Sequence, residues 1–188
     1  MGMQFASPHA RIPILVLIDV QREYVAPGRP FHIAGIGPSL ENCRRMLAHA
    51  RANCWPVAHV RHLQAGHLFN EGLEYSRFVE GFEPLPSEML FTKSSLSCYS
   101  SEAFAGFMES ARQEDVYLVG YNAQMCCLST IVEGYHRGHR FNYVADASCA
   151  RATAHAGELE AHRHACDIIS IYATLVSTGE VVKAQAAA

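Results

Sequence analysis

Residues 12–18 read IPILVLI and run straight into Asp19. An unbroken aliphatic run of this length predicts a strand covered on both faces, as in the middle of a parallel sheet. Outward from it, residues 1–11 read as a loose leader and residues 20–36, rich in Gly and Pro, as a long loop. Residues 38–53 carry Leu40, Cys43, Leu47 and Ala50 at helical spacing. Further strands are predicted over 56–61 (PVAHVR), 89–92, 115–120 (DVYLVG), 140–145 (RFNYVA) and 173–177. Helices are predicted over 101–111, 125–137 and 159–171, with Gly138 as a stop. Residues 62–87 form a long polar connection, and the tail KAQAAA reads as frayed. Strand and helix alternate almost throughout, which points to an α/β fold with helices on both faces of a parallel sheet.

The 188 residues are 49% hydrophobic and 18% charged, a globular balance that excludes a disordered chain. The length fits one domain over 1–188, with its core at about 12–180. Fifteen basic against 18 acidic residues argue against a nucleic-acid partner. No apolar run approaches the roughly 20 residues of a membrane span. The N-terminus lacks a signal-peptide pattern, so the expected location is cytoplasmic. Seven cysteines, an odd number without regular spacing, fit a reducing compartment in which most pack as small apolar side chains.

Ligands of open parallel sheets bind beyond the carboxyl ends of the strands. The first strand ends at Asp19, the second runs into Arg61 and His62, and the third ends at Lys93. The fourth ends at Gly120 and leads through Tyr121, Asn122, Ala123, Gln124 and Met125 to Cys126 at a helix start; the fifth ends at Asp146. A carboxylate, an ammonium and a thiol thus meet on one rim. A thiol is a good nucleophile as its thiolate, which a helix N-terminus and a nearby Lys93 favour. Asp19 can take the thiol proton and return it to a leaving amine, and backbone N–H groups of the helix start can hold an oxyanion. The trio is suited to acyl transfer from an amide through a thioester.

Three blocks carry a resemblance. LVLIDVQREY holds Asp19 and Gln21 ahead of Tyr24; FTKSSLSCYSS holds Lys93, Ser97, Cys98 and Tyr99; LVGYNAQMCCLSTIVEGYHRGHRFNYVADA holds Gly120, Cys126, Ser129, Thr130, Gly138 and Asp146. Their order and spacing resemble the isochorismatase-like hydrolases, a cysteine hydrolase superfamily, over roughly residues 12–180. The resemblance implies a three-layer, Rossmann-like α/β/α sandwich around a mostly parallel sheet of about six strands. It implies the triad Asp19, Lys93 and Cys126, with Cys126 rather than Cys127 as nucleophile. It also implies a non-proline cis peptide in the loop before the nucleophile, expected at Asn122–Ala123. The sequence departs from the family at Ala123-Gln124, where Thr-Asp is usual, and at Cys127, where Val is usual.

Substrate contacts are expected from Gln21, Tyr24, Phe31, Arg61, His62, Tyr99, Tyr121, Asn122 and Gln124, which flank the triad. Arg61 could clamp a carboxylate. Nicotinamidase relatives bind a metal through an Asp and two His; here His59, His62 and His67 stand without that Asp, so neither metal nor cofactor is expected. His136, His155, His162 and His164 lack metal-ligand spacing and are read as solvated. Residues 63–87 are expected to close over the pocket or to reach a neighbouring subunit. The resemblance implies a homo-oligomer, a dimer or a tetramer, acting on a small molecule. The activity expected is a cysteine-dependent amidohydrolase. Isochorismatase-type vinyl-ether hydrolysis, nicotinamidase activity and a catalytically silent binding protein are the alternatives.

Overall fold

The computed structural model describes residues 12–112 and 114–184; the leader 1–11 and residues 185–188 of the tail lie outside the described residues. Six strands, β1 (Ile14–Ile18), β2 (Val57–His62), β3 (Met89–Lys93), β4 (Val116–Gly120), β5 (Phe141–Ser148) and β6 (Thr174–Val176), form one sheet in the order β3-β2-β1-β4-β5-β6. Every neighbouring pair is parallel. The helices are α1 (Arg22–Val25), α2 (Gly37–Ala52), α3 (Glu102–Ser110), α4 (Leu128–His136), α5 (Glu158–Ile169) and α6 (Thr178–Ala184).

The run that opens the sequence is explained by its two neighbours. Ile14, Val16 and Ile18 point into one apolar core with Phe104, Met108, Ile131 and Ile169 of α3, α4 and α5. Leu15 and Leu17 point into a second core with Met46, Leu47 and Val181 of α2 and α6. Alternate side chains of a strand face opposite sides, so a strand sandwiched between two helical layers must be apolar at every position. No residue of β1 is more than 4% exposed, and each such aliphatic side chain gains roughly 1.5–3 kcal/mol from burial.

Three expectations are corrected. Residues 20–36 contain a short helix, α1, because Tyr24 folds back into the second core. Residues 63–87 are no free polar connection: Phe69, Phe78, Val79 and Phe82 are buried, and Phe78 bridges antiparallel to Gln21. Strand β5 continues to Ser148, so Asp146 lies within it. Its Oδ1 accepts from Thr178 N and Thr178 Oγ1 at 2.8 Å each, fixing the start of α6 rather than serving the rim.

The order of strands reverses direction between β1 and β4, which are paired side by side. Helices leave the sheet on opposite faces there and open a crevice at the carboxyl ends. Gly120 makes the approach possible. Its φ is +112°, and a Cβ there would overlap Ile18 O and lie 2.8 Å from Ile18 N. Asp19, one residue beyond β1, takes φ +51°, a left-handed turn that Asp tolerates better than most residues.

Candidate active site

The crevice brings Asp19, Lys93 and Cys126 together. Each comes from the end of a different strand: Asp19 follows β1, Lys93 closes β3, and Cys126 sits in a π-helical turn (Ala123–Cys127) between β4 and α4. Lys93 Nζ lies 2.8 Å from Asp19 Oδ2 and 3.2 Å from Cys126 Sγ. It also donates to Ser95 O at 3.1 Å and lies 3.2 Å from His62 Nδ1. The three side chains are 0%, 1% and 5% exposed, so water screens their charges weakly.

Burial opposes the charge on Lys93, but the Asp19 carboxylate beside it outweighs burial and holds the ammonium well above its usual range. Cys126 goes the other way. Burial comes first and the Asp19 charge second in pushing its thiol up, with Lys93 opposing both. Burial and the neighbouring carboxylate thus favour the protonated thiol at Cys126, and Lys93 favours the thiolate. A side-chain hydrogen bond between Cys126 and Asp19 acts in the same direction as burial.

His62 completes the arrangement. An ammonium only donates, so His62 Nδ1 is the acceptor and Nε2 carries the proton, which goes to Gln64 Oε1 at 3.0 Å. Gln21 secures His62 from below. Its Nε2 donates to His62 O (3.0 Å) and Ser76 O (2.7 Å), and its Oε1 accepts from His62 N at 2.9 Å. Gln21 is wholly buried and its amide is engaged by backbone, so it braces the ends of β1 and β2.

A cavity of about 270 Å³ opens onto Cys126. Tyr24 and His62, both expected at the site, line it, as does Phe31. Phe69, Met125, Ser94, Ser95, Leu96 and Gln64 line it as well and escaped the sequence reading. Ser94 and Ser95 adjoin Lys93 in the chain and could have been found; nothing local marks Phe69 or Gln64 within their polar segment.

The remaining expected contacts lie elsewhere. Arg61 turns toward Thr92 Oγ1 and Glu71, each at 3.4 Å. Tyr99 stacks on His139 and its hydroxyl meets His139 Nδ1 at 2.5 Å. Tyr121 is buried with its hydroxyl 3.1 Å from Ser39 Oγ. Gln124 donates to Arg151 O at 2.8 Å and faces a different cavity, near α5. Asn122 is buried beside Met125, its Nδ2 3.6 Å from Met125 Sδ. The cis peptide bond joins Tyr121 to Asn122, one residue before the expected place. His162 is half-buried, its Nε2 3.0 Å from Ala145 O, and is not solvated as expected. His59 pairs with Glu88 at 2.9 Å while His62 serves Lys93. Among the described residues no three His, Cys, Asp or Glu side chains gather as a metal site.

The family profile of the isochorismatase domain matches residues 13–180. The chain belongs to the isochorismatase-like hydrolase family. Among curated proteins it is 27% identical, over 96% of each chain, to a secreted isochorismatase effector of Verticillium dahliae. It is 24% identical to the maleamate amidohydrolase of Pseudomonas putida, over 69% of this chain and 68% of that protein. Among solved structures, a putative isochorismatase of Burkholderia xenovorans superposes with a TM-score of 0.81 at 27% identity, covering 93% of this chain and 87% of that one. A cysteine hydrolase of Pseudomonas syringae shares the fold (TM-score 0.80, 16% identity, 97% of each chain). Among the described residues of this hydrolase, no helix is long and apolar enough to cross a membrane.

Proposed function

We propose that this chain is a thiol amidohydrolase that cleaves the C–N bond of a small amide through a thioester on Cys126. The observation that carries the reading is Lys93 Nζ standing within 3.2 Å of both Asp19 Oδ2 and Cys126 Sγ inside a buried crevice. Cys126 Sγ attacks the amide carbonyl carbon and its proton passes to Asp19. The C–N bond breaks as Asp19 returns that proton to the departing nitrogen, leaving a thioester and ammonia or an amine. A water then gives a proton to Asp19 and attacks the thioester carbon; the C–S bond breaks, Sγ regains the proton, and a carboxylic acid leaves.

A protonated resting thiol fits this sequence, because the proton must move to Asp19 only when a carbonyl is present to receive the sulfur electrons. Lys93 lowers the energy of the thiolate as it forms. The N–H groups of Ala123, Met125 and Cys127 are taken by the carbonyls of Cys149 and Asn122. We assign the remaining N–H groups of this turn, next to Cys126, to the carbonyl oxygen as it becomes an oxyanion. The maleamate amidohydrolase among the relatives supports amide chemistry. All seven cysteines are free, which supports a reducing, cytoplasmic setting. Exposed Leu159, Ile168 and Ile171 support a homo-oligomer.

Ammonia release from a panel of small primary amides tests the reading. Release by the wild type and none by Cys126→Ala is expected; equal release by both refutes the role of Cys126.

A further inference from the structure

The cavity over Cys126 has an unusual electrostatic character for a site built around three ionisable groups. Asp19 and Lys93 lie beneath the thiol and neutralise each other at 2.8 Å. The lining itself holds no Arg, Lys, Asp or Glu. One wall is aromatic: Tyr24 meets Phe31 edge-on at 6.0 Å and Phe69 at 5.5 Å, and Phe31 meets Phe69 at 5.2 Å. Phe69 also packs edge-on against His62 at 5.1 Å. Leu96 and Met125 extend the apolar surface.

Two arginines of the neighbouring segments are committed elsewhere. Arg61 is directed to Glu71 and Thr92. Arg29 is paired with Glu23 at 2.9 Å. Arg151 lies over the Phe31 ring, 4.4 Å from its centroid, and is not part of the lining. A substrate carboxylate entering here would lose its water and meet rings and aliphatic carbons, with no cation in the lining to receive it. An apolar or aromatic body would gain from the same surface.

We infer that the cavity selects a primary amide with an uncharged apolar body, a small aryl or alkenyl amide, and rejects an amide that carries a carboxylate. The inference rests on the amidohydrolase reading for turnover, but the preference in binding does not. It also separates this chain from the relative that bears the name maleamate amidohydrolase. The exposed Gln64, whose Oε1 accepts from His62, leaves its amide N–H groups at the mouth as the neutral polar contact for the far end of such a body.

The test uses cis-crotonamide and maleamate, which differ in methyl against carboxylate, together with benzamide and succinamate. Binding is measured calorimetrically on Cys126→Ala, and ammonia release on the wild type. Benzamide and cis-crotonamide are expected to bind at least tenfold more tightly than maleamate and succinamate, and to show the same order in kcat/KM. Gln64→Lys, an exposed position that places an ammonium in the lining, is expected to narrow the ratio at least tenfold. Tighter binding of maleamate or succinamate, lost in Arg151→Gln, overturns the inference by showing that Arg151 swings in as an anion clamp. Binding of neither class at 10 mM, a concentration on the order of the weakest useful affinities, also overturns it. Tight binding of the neutral amides without ammonia release leaves the selectivity standing and refutes the amidohydrolase reading instead.

Discussion

Replacing Lys93 by Met keeps the apolar stem and deletes the charge. Asp19, wholly buried, then faces no cation, because the ammonium 2.8 Å away is its ion-pair partner among the described residues. Removing one member of a buried pair costs about 3–5 kcal/mol. His62 Nδ1 and Ser95 O lose a donor in the same step. For a chain of this length, each kcal/mol moves Tm by roughly 2–4 °C, so a fall of about 6–20 °C is expected. The double variant Asp19→Asn/Lys93→Met removes both charges and should recover at least half of that loss, since the penalty comes from an uncompensated carboxylate and not from lost volume. Urea unfolding at pH 7, followed by circular dichroism, measures all three proteins. Two results refute the reasoning: Lys93→Met within about 1 kcal/mol of wild type, or a double variant no more stable than Lys93→Met.

Gly120→Ala should be among the most damaging single changes outside the triad, losing about 3 kcal/mol or more, because its φ is positive and the new methyl overlaps the backbone of Ile18; its urea midpoint checks this. Asp19→Asn removes the negative charge that helps hold the Cys126 thiol protonated and leaves Lys93 beside it. Alkylation by iodoacetamide at pH 8 should therefore quicken while ammonia release falls by about 10² or more; slower alkylation would contradict the assigned charges. Burial opposes ionisation of Glu88, but hydrogen bonds from Arg51, the Leu85 N–H and His59 prevail and bring its carboxyl down to about 2. With the folded value depressed, this stabilisation is complete above the unfolded value near 4.5 and is lost as pH falls toward 2. Glu88→Gln should accordingly be less stable than wild type at pH 6, with the gap in urea midpoint closing between pH 4.5 and 2.

The strands that build the crevice were legible because their burial is two-sided: IPILVLI and DVYLVG can only sit between helical layers. The placement of Asp19, Lys93 and Cys126 at strand ends followed from the same pattern, and the structure brings the three together. The long connection over 63–87 was expected to close over the pocket or to reach a neighbouring subunit, and Gln64 and Phe69 do line the cavity; what escaped was how it is anchored. Its buried anchors, Phe69, Phe78, Val79 and Phe82, are single aromatic or aliphatic residues in a polar setting, with neither period two nor period 3.6 to reveal them. The wall of the cavity depends on one of them, Phe69, so the shape of the pocket was hidden along with those anchors. Arg61 illustrates a second limit. Its position after a strand resembles that of a ligand clamp, but its direction is set by Glu71, ten residues away in that same loop. Gln21 likewise sits beside Asp19 in sequence, yet its amide is engaged by the backbone of His62 and Ser76, 41 and 55 residues further on.

The central claim is a covalent bond between substrate and Cys126. The direct measurement is intact-protein and peptide mass spectrometry after rapid acid quench of the wild type mixed with the best amide of the panel. The account predicts an added acyl mass, substrate less ammonia, on the peptide that contains Cys126, absent in Cys126→Ala and discharged by hydroxylamine. Ammonia release with no such adduct at any quench time, and undiminished in Cys126→Ala, would contradict it.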